Sequence, residues 1–118
     1  MKNFKEETLE VLKENHKTWN DVKFIQGNDF RASNNKDELL DLMDFVYDSG
    51  YNAPEIAQDL VIVGDNWWLE RHEYDGSEWW EFKETPKPNK KVRKIKRFKV
   101  TPDQVGWKNL RGVNNDRI

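Results

Sequence analysis

The stretch WWLERHEYDGSEWWEF, residues 67–82, holds four of the chain's six tryptophans and sets Glu70, His72 and Glu81 among them. Imidazole and carboxylate are reasonable ligands for zinc or another divalent cation, so these three residues form a candidate metal set. The same three also suit a plain surface ion pair, since a lone histidine beside acids is more often that than a ligand. A carboxylate pair flanked by indoles matches sugar-cleaving sites in residue type, but so small a chain leaves little room for a substrate cleft. Trp68 and Trp79 read either as a binding platform, because tryptophan is enriched at binding hot spots, or as cover for a sheet edge.

Charge supplies two further candidates. Asp37, Asp41, Asp44 and Asp48 are spaced by four, three and four residues, which on one continuous helix aligns four carboxylates in a row. Successive charges roughly 6 Å apart approximate the phosphates of a nucleic-acid strand, so such a row could mimic DNA for a basic groove on a protein. The alternative is an ordinary solvated helix face. Near the other end, a basic run that includes Lys91, Arg93, Lys94, Lys96 and Arg97 contains no acid and could grip phosphates, with Phe98 stacking on a base. The run equally suits neutralisation of the chain's own acids or protection of an edge strand.

Enzymatic motifs are missing. There is no phosphate-cradling glycine loop, no cysteine nucleophile, no second histidine to follow His72-Glu73, and no elbow context for the serines.

The elements that position these residues follow from pattern. Apolar groups at Phe4, Leu9, Val11 and Leu12 among glutamates predict a helix over residues 4–18. Val22 and Phe24, followed by Gly27-Asn28, predict a small hairpin. Asn35 and Glu38 have the form of a capping box, and Leu39, Leu42, Met43 and Val46 share one face, so a helix is expected from there to a left-handed cap at Gly50. Pro54 opens a short helical turn, and Leu60–Val63 is an apolar strand. Asp75-Gly76 is a strong two-residue hairpin signal. In that register His72 faces Trp79, Arg71 faces Trp80 and Glu70 faces Glu81. One face then collects Trp67, Leu69, Arg71, Trp80 and Phe82 as core, and the other collects Trp68, Glu70, His72, Trp79 and Glu81. A three-residue loop with a bulge would shift the second strand by one. TPKPNKK reads as a linker or long loop, residues 91–100 as a basic strand, and Thr101-Pro102-Asp103-Gln104 as the start of a helix through Leu110.

Composition sets the frame. With 36% apolar and 36% charged residues in 118, the core must be small and rich in rings. Net charge is −2, but residues 1–86 carry −11 and residues 87–118 carry +9, so two surfaces of opposite sign are expected. The lack of cysteine suits a reducing host cytoplasm, and neither a signal peptide nor a membrane-spanning run is visible.

The segment Val63 to Lys83, VGDNWWLERHEYDGSEWWEFK, resembles one found in small uncharacterised proteins of phages and prophages of Gram-positive bacteria. That resemblance implies a phage accessory protein, and proteins of that kind include anti-CRISPR inhibitors of the RNA-guided type II nuclease. It carries over no catalytic residue. The expectation is therefore an α+β domain over residues 1–111, with helices on a mostly antiparallel sheet centred on the tryptophan hairpin, a basic segment at 87–99 and a disordered tail at 112–118. Its expected function is non-catalytic inhibition of a host protein, a CRISPR nuclease, through Asp37, Asp41, Asp44, Asp48, Trp68 and Trp79. The alternatives are a nucleic-acid-binding accessory protein that uses the basic run and, third, a metal-binding enzyme or metal-stabilised domain in which zinc sits at Glu70, His72 and Glu81.

Overall fold

The computed structural model describes residues 1–50 and 53–115. The chain divides into two compact units, Met1–Pro86 and Lys87–Ile118, and the boundary falls inside TPKPNKK, where the sign of the charge changes.

The first unit is α+β with antiparallel sheets. Strand β1 (Lys2–Asn3) leads into helix α1 (Phe4–Glu14), whose first turn is capped by Asn3 accepting from the Glu6 amide at 3.0 Å. The buried line of α1 is Phe4, Thr8 and Leu12, at spacings of four. A 3₁₀ turn (Trp19–Asp21) precedes β2 (Phe24–Gln26), and the expected hairpin closes after it through Gly27 N–H to Phe30 C=O and a bridge from Gln26 to Arg31.

Helix α2 (Lys36–Leu42) starts where the capping pattern puts it, with the Glu38 amide donating to Asn35 Oδ1 at 2.9 Å. Its Lys36 ammonium donates to the carbonyls of Trp19, Asn20 and Val22, which ties α2 to the 3₁₀ turn. The expected continuation to Gly50 does not occur. Phe45 stacks on Phe4 at 5.4 Å, and Val46–Tyr47 form strand β3 against β1. Aromatic and β-branched residues favour that extended pairing, and burial of Tyr47 outweighs a further helical turn. Gly50 lies beyond β3, outside any helix. Pro54 opens no helical turn either, and the Glu55 and Ile56 amides donate to the Glu78 carboxylate.

Strands β4 (Val61–Val63), β5 (Trp67–Tyr74) and β6 (Ser77–Glu84) join β2 in a four-stranded antiparallel sheet of order β2-β4-β5-β6. Asp75 and Gly76 have φ of 51° and 84°, the two left-handed positions of a tight hairpin turn. The resulting register pairs Leu69 with Phe82, Glu70 with Glu81, Arg71 with Trp80 and His72 with Trp79, as the two-residue turn predicts. Gly64 admits the indole of Trp67, since a Cβ there would meet the ring at 2.0 Å. Ile62, Leu69, Trp67 and Trp80 form the sheet's share of the core, against Phe4 and Leu12 of α1.

Among its described residues the second unit has one regular element, helix α3 (Leu110–Val113). Residues 91–100 form no strand, for no neighbouring strand supplies a ladder. The capping turn at 101–104 does form, with Gln104 Oε1 accepting from the Thr101 amide at 2.9 Å, but no helix grows from it. Gly106 with φ of 85° breaks the propagation. Asn114 organises this unit: its Oδ1 accepts from the amides of Lys96 and Arg97, and its Nδ2 donates to the carbonyls of Arg97 and Leu110. Val113 and Asn114 are buried, so residues 112–114 belong to the unit rather than to a frayed tail. Asn115 is exposed, and the last three residues of that expected tail, 116–118, lie outside the described residues.

Candidate functional site

The hairpin's outer face assembles as expected. His72 Nε2 lies 3.1 Å from Glu70 Oε2 and 3.2 Å from Glu81 Oε2, while Trp68 Nε1 donates to Glu70 Oε1 at 2.9 Å. Lys83 Nζ sits 3.3 Å from the same Glu81 oxygen, and this ammonium, aided by His72 and Trp79, holds the Glu81 carboxyl below its ordinary range. One ring nitrogen between two carboxylates, with a lysine on the second, is an ion-pair cluster. A cation between these groups would have to displace both the His72 contacts and the lysine. Among the described residues no group of three or more His, Asp and Glu side chains is placed to hold a metal ion. The zinc expectation therefore meets a face on which His72 and Lys83 already contact the two carboxylates.

The inner face contains a second cluster, built on Arg71. This guanidinium is buried, and its Nη2 donates to Glu78 Oε1 at 2.8 Å and to the Tyr47 hydroxyl at 3.1 Å. Nη1 lies 3.8 Å from Glu7 Oε2, and the Tyr47 hydroxyl donates to the other Glu7 oxygen. The cation lies over the rings of Trp80, Phe4 and Tyr47, with centroids at 4.8, 5.4 and 5.8 Å. Nε and Nη1 have no hydrogen-bond partner, so ring faces take the place of acceptors there. Burial pushes the Tyr47 phenol up to about 12, with Glu7 adding to the rise and Arg71 opposing it. Arg71 was legible as a core-face residue, and strand alternation puts Glu78 on the same face as Trp80, whereas the place of Glu7 was not legible. Nothing local in the sequence brings residue 7 beside residue 78.

Along β6, the edge strand of the larger sheet, α1 packs to leave a groove of about 600 Å³. Glu6, Glu10 and Glu14 line it from the helix and Trp79 from the strand. The three glutamates are exposed and spaced by four residues, so they form the acidic row that sequence reading assigned to the aspartates. Their spacing was visible in the sequence; their position opposite an indole was not.

The aspartate row itself is broken. Asp37 and Asp41 lie on α2, but Asp44 lies past its end and accepts from Asn3 Nδ2 at 2.9 Å, and Asp48 follows β3 and accepts from the Gly50 amide. The four carboxylates do not share one helix. Trp68 and Trp79 are each half-buried on the hairpin's outer face, Trp68 bonded to Glu70 and Trp79 at the groove.

In the second unit Lys91, Arg93 and Lys94 are exposed. Arg97 differs, since its Nη1 donates to the Val113 carbonyl at 2.8 Å, and Lys96 contributes its amide to the Asn114 clamp. These two are part of the scaffold as well as of the charge. Phe98 is exposed, and so is Trp107, a ring that the sequence reading did not single out. No described helix is long and apolar enough to cross a membrane. The chain matches no known family model, no characterised protein and no solved structure.

Proposed function

We propose that the chain is a non-catalytic, protein-binding inhibitor that occupies a basic nucleic-acid groove of a host enzyme. The carrying observation is the groove between α1 and β6, which three exposed glutamates in one row and Trp79 line together. Carboxylates about 6 Å apart on a helix meet lysines and arginines at roughly phosphate spacing, and a tryptophan beside them supplies apolar contact. Complementary charge of this kind raises the rate of encounter and selects the partner. The resemblance of the hairpin segment to phage proteins makes an RNA-guided type II nuclease the target of choice, reached in the host cytoplasm.

The test is DNA cleavage by a guide-loaded type II nuclease from a Gram-positive host, with the full chain added. Inhibition is expected, together with its loss in a variant carrying Glu10→Lys, Glu14→Lys and Trp79→Ala. Glu6 is left intact because it sits in the first turn of α1, where its charge favours the helix. Charge reversal of Asp37 and Asp41 should change inhibition less. Absence of inhibition, or inhibition that survives the groove variant, refutes the proposal.

A further inference from the structure

The second unit contains large rings for which it has no core. Val113 is its one buried apolar side chain among the described residues, yet Phe98 is 82% exposed and Trp107 fully exposed. Rings of this size can bury on the order of 150–250 Å² each, so leaving them in water forgoes most of the unit's available apolar burial. Hydrogen bonds hold the backbone near each of them. Asn114 clamps the amides immediately before Phe98, and Trp107 sits between the capping turn at 101–104 and Asn109, which caps α3 by accepting from the Gly112 amide at 2.8 Å. The same unit carries Lys90, Lys91, Arg93, Lys94, Lys99 and Lys108, all exposed, and has a net charge of +9.

We infer that this unit binds single-stranded nucleic acid, with Phe98 and Trp107 stacking on bases and the exposed lysines and Arg93 contacting phosphates. Cationic side chains together with solvent-facing rings suit a flexible polyanion that carries flat apolar faces. Duplex DNA fits less well. Its grooves are read by a helix or a ribbon, and the one helix here, Leu110–Val113, has four residues. An anionic membrane fits less well too, because the unit's described residues form no amphipathic helix to lie in the interface. Base stacking and phosphate contact are common to RNA and DNA, so both enter the test. The inference does not rest on the groove of the first unit.

The experiment uses the full chain and fluorescein-labelled oligo(dT) and oligo(rU) of about 12 nucleotides, followed by anisotropy across a salt series. Binding to one or both strands is expected, with affinity falling linearly in log–log form against salt. Replacing Lys90, Lys91, Arg93 and Lys94 by alanine should flatten that slope by about 2 to 3, at roughly 0.7 per single-strand phosphate contact. Phe98→Ala and Trp107→Ala should each weaken binding about tenfold and leave the slope unchanged. The first-unit variant Glu10→Lys, Glu14→Lys, Trp79→Ala should bind the oligonucleotides at least as well as wild type, which separates this inference from the inhibitor reading. Three results overturn it: no binding at low salt, ring variants that bind like wild type, or tighter binding to a duplex or to anionic vesicles than to the single strands.

Discussion

Trp79 and Trp80 are adjacent in sequence and opposite in consequence, and truncating each to alanine measures the hairpin register directly. Trp80 is 5% exposed, stacks on Phe4 at 5.5 Å, lies over Arg71 and donates its indole N–H to the Thr8 hydroxyl at 2.9 Å. Trp→Ala at such a site costs about 3–5 kcal/mol from lost transfer energy and the cavity left behind. Arg71 would also lose the nearest of its three rings. For a unit of this size each kcal/mol lowers the melting temperature by about 4–8 °C, so Trp80→Ala should fall by roughly 12–40 °C or fail to fold. Trp79 is half-buried on the other face, and its removal should cost about 1 kcal/mol. Thermal melts by circular dichroism, with urea unfolding as a check, distinguish the two. Equal losses, or a larger loss for Trp79→Ala, would refute both the register and the assignment of Trp79 to a binding surface.

Glu78→Gln should destabilise by about 3–5 kcal/mol in urea, because it leaves the buried Arg71 short of a counter-charge and turns its amide hydrogens toward either the Glu55 or the Ile56 N–H group. Tyr47 gives a pH dependence with a definite sign. Its phenol has an ordinary value of 10.0 and is raised to about 12 in the fold, so it contributes stability that is fully present below pH 10 and lost as pH rises toward 12. Tyr47→Phe should therefore show a shallower alkaline fall in melting temperature than wild type, and an identical fall would refute the assignment. An excess of zinc should leave the melting temperature unchanged, and a rise abolished by His72→Ala would restore the ligand reading of Glu70, His72 and Glu81.

Local chemistry made some features legible. Asp75-Gly76 accepts the two positive φ angles of a tight turn, and once the turn is fixed the strand period assigns every side chain on the hairpin to a face. Asn35 and Glu38 likewise mark where α2 begins. What failed was whatever depended on a distant partner. The helix expected to reach Gly50 stops at Leu42 because Phe45 and Tyr47 pack against Phe4, about forty residues away in sequence, and that displacement dissolves the aspartate row. Residues 91–100 have enough β-branched and aromatic side chains to read as a strand, but a strand needs a neighbour, and here the backbone is held by one buried asparagine instead. The glutamate row on α1 had its spacing in plain sight. It gained meaning only when β6 set Trp79 across from it.

Both proposed interactions are electrostatic, one through carboxylates on a unit of −11 and one through ammonium groups on a unit of +9. Both therefore weaken as salt rises, and salt sensitivity alone cannot separate an acidic inhibitor from a nucleic-acid binder. The rings can. Trp79 is part of the folded hairpin and its apolar contact acts on a protein surface, whereas Phe98 and Trp107 have no apolar role within their own unit and act on bases. At fixed salt, Trp79→Ala should weaken nuclease inhibition and leave oligonucleotide binding intact, and Trp107→Ala should do the reverse. If one substitution weakened both activities, a shared binding event would replace the two separate surfaces argued above.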